Sequence, residues 1–157
     1  MKKLAIIGSG RMAWIFGREA KEMGIESHAF SFDDQCVAKE TVTEHHLGDI
    51  MNMDKVLDIC RQLKIDGVVP TTELTVPVAA YVAEKMGLNG IPFDVARVVT
   101  DKYRNRQLCK SLAQLRQPAF AEVVTLEELN ALNLSFPLIL KPVSKGGKRG
   151  ITVGRGA

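Results

Sequence analysis

Residues 136–153, FPLILKPVSKGGKRGITV, place a loop of glycines and positive charges between two apolar runs. The segment from the first run to the second contains Lys141, Lys145, Gly146, Gly147, Lys148, Arg149 and Gly150. Glycines free the backbone and leave its amides open to an anion. Lys141 falls in the predicted strand LILKP, where burial of a cation is costly unless an anion pairs with it. This stretch therefore predicts a phosphate site, and its alternative is a solvated hairpin with a permissive turn.

The composition is that of an ordinary globular chain. Its 157 residues are 46% hydrophobic and 25% charged, with a net charge of +3, so nucleic acid is not required as a partner. No apolar run is long enough for a membrane span, and the run near the N-terminus is too short for a signal peptide. The odd number of cysteines, without metal-type spacing, predicts reduced and buried thiols in a cytoplasmic protein.

Strands alternate with helices in the first part of the chain, which predicts parallel strands joined by helical crossovers. The predicted strands cover 3–7, 26–32, the stretch DGVVPTTE at 66–73 and a short segment near 41–43, and the predicted helices cover 12–23, 53–64 and 76–86. This pattern is typical of an α/β fold, an open Rossmann-like parallel sheet with helices on both faces.

After Pro92 the pattern changes to shorter elements. Helices are predicted over 94–99, 101–115 and 126–132, and strands over 120–124 and within 136–142 and 150–154. Thr125 and Glu128 have the spacing of a capping box that begins a helix. We therefore place a boundary near residue 93, with an α/β domain over 1–93 and an incomplete, antiparallel α+β unit over 94–157.

The stretch GSGRMA, residues 8–13, follows a predicted strand and begins a helix, as dinucleotide-binding glycine motifs do. Asp33, at the end of the second predicted strand, has the position of a ribose-binding acid, so a nicotinamide-dependent oxidoreductase is one interpretation. A second is that the glycines serve only close packing, with Asp33 a solvated turn residue. A third is an anionic substrate bound at the carboxyl ends of the strands, next to Thr71–Glu73. The first 93 residues do not decide among these.

Residues 101–153 resemble the start of an ATP-grasp domain. The resemblance is carried by DK at 101–102, by FPLILKP at 136–142 and by the glycine-rich loop before the next strand. The N-terminal part is similar to the pre-ATP-grasp domain of biotin carboxylase, the carbamoyl-phosphate synthase large subunit and the aminoimidazole ribonucleotide carboxylase ATPase subunit. The similarity to the last of these rests on GSGRMAWIFGREAKEMG at 8–24 and on TTE at 71–73.

The resemblance implies roles for particular residues. Lys102 and Lys141 would contact ATP phosphates, and residues 144–150, with Lys145, Gly146, Gly147 and Gly150, would form the loop that closes over the triphosphate. The substrate side would include Gly8, Gly10, Arg11, Thr72 and Glu73. No catalytic residue is assigned.

The resemblance also implies an ADP-forming ligase that uses MgATP to activate a carboxylate or bicarbonate as an acyl phosphate, which an amine or other nucleophile captures. The family's adenine-contacting hinge and Mg²⁺ ligands lie beyond the glycine loop. We therefore expect the 157 residues to be an N-terminal piece of the enzyme, inactive alone, with small-molecule partners and a family tendency to dimerise. A nucleotide-binding protein without catalysis is the remaining alternative.

No metal ligands are predicted. His45 and His46 are adjacent and would point to opposite faces of a strand, which favours surface or capping roles. Arg104 and Arg106 are interpreted as a solvated helix face.

Overall fold

The computed structural model describes residues 1–112, 114–144, 146–147 and 149–155. The chain divides into two units, Met1–Arg97 and Val98–Ala157, and the division lies within a helix a few residues after the predicted boundary. The strands are β1 (Lys3–Ile7), β2 (Glu26–Ser31), β3 (Glu44–Leu47), β4 (Gly67–Pro70), β5 (Leu138–Leu140) and β6 (Thr152–Gly154). The helices are α1 (Arg11–Glu22), α2 (Met53–Leu63), α3 (Val76–Met86), α4 (Phe93–Thr100), α5 (Lys102–Lys110) and α6 (Leu126–Ala131).

The first unit is built on a parallel sheet of four strands in the order β3-β2-β1-β4. Residues 4–7 of its interior strand β1 are all apolar, as expected where helices cover both faces of the sheet. Ile7 contributes to the core beneath α2 and α3, whereas Ile6 contributes to the core beneath α1. The predicted α/β class, with an open parallel sheet and helices on both faces, is confirmed.

The third strand lies later than predicted. Residues 41–43 do not form a strand, and β3 begins at Glu44. β-Branched side chains suggested a strand here, but the Thr41 side chain bonds to helix α1 instead: its hydroxyl donates to the Trp14 carbonyl oxygen at 3.0 Å. A Cβ on Gly17 of α1 would lie 2.5 Å from that hydroxyl oxygen, so helix and loop pack too closely for a side chain there.

The second unit contains α5, α6 and the antiparallel pair β5–β6. α5 ends at Lys110 and is shorter than the predicted helix over 101–115; at its end the Ser111 hydroxyl donates to the Leu108 carbonyl oxygen at 2.6 Å and competes with the backbone N–H groups that would continue the helix. The predicted strand at 120–124 is also wrong: Phe120 packs against Tyr103 instead of joining a ladder. The capping box of Thr125 and Glu128 at the start of α6 is confirmed.

The prediction of buried thiols holds for two of the cysteines. Cys36 and Cys60 are buried, and Cys109 is only partly so. Burial raises the pKa of the Cys60 thiol to about 12, so this side chain behaves as a small apolar group. Within the described ranges of the chain, no helix combines the length and apolar character that crossing a bilayer would take.

Candidate functional site

A concave site in the second unit brings together residues that are distant in the sequence. Lys102, at the start of α5, and Lys141, directly after β5, line one cavity of about 560 Å³. Arg106, one turn along α5 from Lys102, lines it as well, and Glu122 is the carboxylate among the lining residues that the structure describes. The excess of cations makes the cavity suited to an anionic ligand.

Helix α5 is held at its first turn by the residue before it. The Asp101 carboxylate accepts from the backbone N–H groups of Tyr103 at 3.0 Å and Arg104 at 2.9 Å. The Lys102 N–H donates to the Val143 carbonyl oxygen at 3.2 Å, and the Lys102 ammonium donates to the same oxygen at 3.4 Å. The Asp101 bonds cap the first turn of α5, and the Lys102 bonds hold that turn against the segment that follows β5. The two roles together explain why Asp precedes Lys here.

Replacement of Asp101 by alanine is expected to weaken the first turn of α5 by about 1 kcal/mol. The reason is that two helix N–H groups lose their acceptor. Hydrogen exchange of the Tyr103 and Arg104 amides should accelerate about fivefold. Asp101→Asn retains an acceptor oxygen and is the matched control. Equal protection in the alanine and asparagine variants would contradict the capping role.

Lys141 is placed differently from the prediction. It follows β5 instead of lying inside the strand, and its side chain is exposed, not buried. The strand ends early because β5 pairs with β6 only over Leu138–Leu140. The prediction that this cation is buried is therefore wrong, although Lys141 does line the cavity with Lys102.

The glycine-rich loop has the backbone that glycine permits. Gly147 and Gly150 have φ angles of 68° and 72°, which L side chains rarely adopt. Gly146, Gly147 and Gly150 are not among the residues that line the cavity. Lys145, which is predicted to belong to the same loop, lies outside the described residues.

Sequence reasoning missed Arg106, which it assigned to a solvated face. The Arg106 guanidinium lies over the Phe120 ring, 5.8 Å from its centroid, and this contact holds it at the cavity. The spacing of Lys102 and Arg106, four residues apart on one helix face, is the signal that could have identified it. Arg104 is exposed and pairs with Asp101 at 3.6 Å, as expected of a solvated position.

The glycine motif of the first unit lies at the carboxyl edge of the sheet. Gly8 follows β1 with a φ of 132°, and a Cβ there would lie 1.9 Å from the Thr71 hydroxyl oxygen. That hydroxyl donates to the Ile7 carbonyl oxygen at 3.0 Å. Gly8 is thus required by close packing, whereas a Cβ on Gly10 would meet nothing within 4 Å.

The remaining predicted substrate-side residues lie next to this edge. Arg11 is the exposed first residue of α1, and the exposed Thr72 and Glu73 follow β4. Because β1 and β4 are neighbours in a parallel sheet, the segments after both strands emerge at the same edge. The Asp33 carboxylate accepts from the Gln35 N–H at 2.8 Å within a turn, as in the turn-residue interpretation.

Comparisons with known proteins point to one superfamily. The chain is 28% identical over 159 residues to a formate-dependent phosphoribosylglycinamide formyltransferase of Methanocaldococcus jannaschii, covering 98% of this chain and 40% of the relative. It is 24% identical over 152 residues to the same enzyme of Prochlorococcus marinus, covering 95% of this chain and 39% of that one. No protein-family model matches.

Solved structures show a similarity of the same extent. An L-amino acid ligase from Bacillus licheniformis matches with a TM-score of 0.81 and 26% identity, over 99% of this chain and 39% of that one. The chain is similar over nearly its whole length to enzymes of the ATP-grasp superfamily. An N5-carboxyaminoimidazole ribonucleotide synthetase in complex with ADP has the same fold, with a TM-score of 0.81 and 20% identity over 99% of this chain and 41% of that one.

The ATP-grasp similarity extends over nearly the whole chain, and the chain spans about two-fifths of the length of the relatives it matches. The resemblance stated from the sequence is therefore confirmed, and the match is to part of each relative.

Proposed function

We propose that the chain is the N-terminal portion of an ADP-forming, ATP-dependent ligase and that its second unit binds the phosphates of ATP. The observation that carries the proposal is that Lys102 and Lys141, far apart in the sequence, line one cavity. ATP-grasp homology supports the same assignment.

The cavity has the chemistry that a polyphosphate needs. Lys102, Arg106 and Lys141 supply positive charge, and fixed cations stabilise the charge that develops during phosphoryl transfer. Many of the other lining residues are apolar, among them Val123, Leu132 and Leu140, which favours exclusion of water. In the proposed reaction a carboxylate or bicarbonate oxygen attacks the γ-phosphate and displaces ADP, and an amine or other nucleophile then attacks the acyl phosphate and displaces inorganic phosphate.

The described residues do not fit a magnesium cage. Mg²⁺ is bound through oxygen ligands, commonly carboxylates together with phosphates and water. Glu122 alone supplies a carboxylate among the cavity residues that the structure describes. We therefore assign phosphate binding, and no magnesium ligation, to this chain, and the family resemblance places the magnesium ligands downstream of the glycine loop.

The lack of buried residues in the described part of the second unit supports the view that further structure covers it. None of the described residues after Arg97 is buried, and large apolar side chains such as Phe136, Ile139 and Val153 are more than half exposed. A unit without a buried core gains little from the hydrophobic effect. The remainder of an ATP-grasp fold would supply the missing contacts.

The first unit is proposed to hold the acceptor substrate at the sheet edge near Gly10, Arg11 and Thr72. The open space at Gly10 leaves room for a ligand against the start of α1, where backbone N–H groups favour an anion. The relatives' names suggest two kinds of substrate to assay: formate with phosphoribosylglycinamide, and L-amino acids.

The test is an assay of the whole protein that contains this chain. ADP should form only when ATP, a carboxylate and a nucleophile are all present, and the coding sequence after Ala157 should supply acidic metal ligands. Absence of those acids would favour a nucleotide-binding protein without catalysis. Tight NADH binding that ATP does not affect would favour the oxidoreductase interpretation instead.

A further inference from the structure

Three side chains of the first unit converge on one face of the sheet, and none of them is among the residues assigned above. His28 lies on β2, and Glu44 and His46 lie on β3, in the parallel register that pairs His28 with Glu44 and Phe30 with His46. Glu44 and His46 point to the same face because side chains alternate along a strand. His28 Nδ1 is 3.1 Å from His46 Nε2, and Glu44 Oε2 is 3.6 Å from the former and 3.9 Å from the latter.

We propose that His28 Nδ1, His46 Nε2 and Glu44 Oε2 form a binding site for a divalent transition-metal ion, with Zn²⁺ as its best match. The three ligand atoms lie within 4.8 Å of one another. Tetrahedral Zn²⁺ with bonds of about 2.0–2.1 Å requires ligand atoms about 3.3–3.4 Å apart. The observed separations of 3.1, 3.6 and 3.9 Å lie on both sides of that value. Small side-chain movements would therefore bring the three atoms to tetrahedral geometry.

A second carboxylate orients the buried ligand. Glu26 Oε1 is 2.9 Å from His28 Nε2, and Lys3 holds the same oxygen at 2.8 Å. The carboxylate accepts the Nε2–H, which leaves the Nδ1 lone pair directed at the proposed site. Carboxylate–histidine–metal arrangements of this kind fix the tautomer and raise the basicity of the ligand. Glu26 is thus a positioning residue.

Packing fixes the second imidazole. The His46 ring stacks on Phe30 at 4.8 Å and on His28 at 5.3 Å between ring centroids. The two imidazoles are at hydrogen-bond distance, and a proton on His28 Nε2 toward Glu26 makes His46 Nε2–H the donor to His28 Nδ1. A metal ion on His46 Nε2 requires the other neutral tautomer of this imidazole, with its proton on Nδ1, so binding changes the tautomer and releases no net proton.

The site is closed on one side and open on the other. The side chain of His28 is 2% exposed, whereas that of Glu44 is 57% exposed. A fourth coordination position would therefore face solvent and could hold water or an external ligand. Two imidazoles favour Zn²⁺, Co²⁺ or Ni²⁺ over Mg²⁺, so this site is separate from the magnesium of the proposed ligase reaction and does not rest on that proposal.

The test uses the 157-residue chain, carrying Cys109→Ser so that the partly exposed thiol cannot bind the metal. Titration with Co²⁺ should produce the visible absorption of a tetrahedral site with one equivalent bound, and Zn²⁺ should abolish it. Zn²⁺ should also raise the unfolding temperature of the first unit. Glu44→Gln and His46→Ala should each weaken Zn²⁺ binding at least tenfold, and Glu26→Gln roughly tenfold.

His45→Ala is the matched control. His45 is adjacent to His46, but its Nε2 lies 2.7 Å from the Ser31 hydroxyl on the other face of the sheet, so Zn²⁺ affinity should be unchanged. Glu44 is exposed, and Glu44→Gln therefore retains the fold even if His46→Ala does not. The proposal is overturned if the parent chain binds no Zn²⁺, if Glu44→Gln binds it equally well, or if His45→Ala weakens binding as much as His46→Ala does.

Discussion

Replacement of Lys141 by alanine is expected to lower ATP-dependent turnover of the protein that contains this chain by roughly 10²–10³-fold. The ammonium lines the cavity with Lys102 and would neutralise phosphate charge in the transition state. Because the side chain is exposed, its removal leaves no cavity and no unpaired buried group, and the unfolding temperature should remain that of the parent. Steady-state ADP formation measures the first effect and thermal unfolding the second.

Lys110→Ala is the matched control for Lys141→Ala. Lys110 is also an exposed lysine of the second unit, but it is absent from the cavity lining, so its loss should leave turnover unchanged. Lys141→Arg should retain part of the activity, because the charge remains although the donor geometry differs. Unimpaired turnover in Lys141→Ala would remove the phosphate-binding assignment.

Replacement of Gly8 by alanine is expected to reduce the free energy of unfolding of the first unit by about 2–5 kcal/mol. Alanine at a φ of 132° is strained, and its Cβ would overlap the Thr71 hydroxyl oxygen. Rotation of that hydroxyl would break its hydrogen bond to the Ile7 carbonyl oxygen. Urea unfolding followed by the fluorescence of Trp14, the single tryptophan, reports the loss because Trp14 lies on α1.

Gly10→Ala separates this packing requirement from any role in ligand binding. Its φ is −81° and its surroundings are open, so stability should change little while affinity for the acceptor substrate falls. Thr71→Ala should lower the free energy of unfolding less in the Gly8→Ala protein than in the parent, because Thr71→Ala removes the hydroxyl oxygen that overlaps the new Cβ. Equal stability of the Gly8→Ala and Gly10→Ala proteins would show that Thr71 does not constrain residue 8.

Much of the first unit was predictable because local signals and tertiary packing agree there. The apolar run of β1 and the helical spacing of Val56, Cys60 and Leu63 on α2 each indicate one structure only. The third strand was misplaced because β-branched residues favour strands in general, whereas Thr41 here bonds to the backbone of α1. No local pattern reveals a hydrogen-bond partner so distant in the sequence.

Errors in the second unit have a related cause. The apolar residues of 120–124 have strand propensity, but a strand forms only where a partner is in register, and Phe120 packs against Tyr103 instead. The spacing of Leu108, Leu112 and Leu115 suggested a continuous helix, but α5 ends at Lys110, where the Ser111 hydroxyl bonds to the Leu108 carbonyl oxygen. Propensity gives way to a tertiary contact at Phe120 and to a local side-chain hydrogen bond at Ser111.

The candidate site was predictable as far as sequence motifs reach. Lys102 and Lys141 were paired through family resemblance, and the structure brings both to one cavity. Arg106 and the cluster of His28, Glu44 and His46 were missed, because their grouping depends on a helix face and on strand register. An error of three residues in the start of β3 was enough to hide the alignment of His46 with β2.

The order β3-β2-β1-β4 places the first strand of the chain in the interior of the sheet. During synthesis, β1 and β2 leave the ribosome early, but the second edge of β1 stays without a neighbour until residues 67–70 have emerged. A nascent chain shorter than this carries an uncovered apolar strand with unpaired backbone groups, which is a template for association with other chains. Translational pausing before Pro70 should therefore expose this protein to aggregation, and chaperones that bind extended apolar segments would act in that interval.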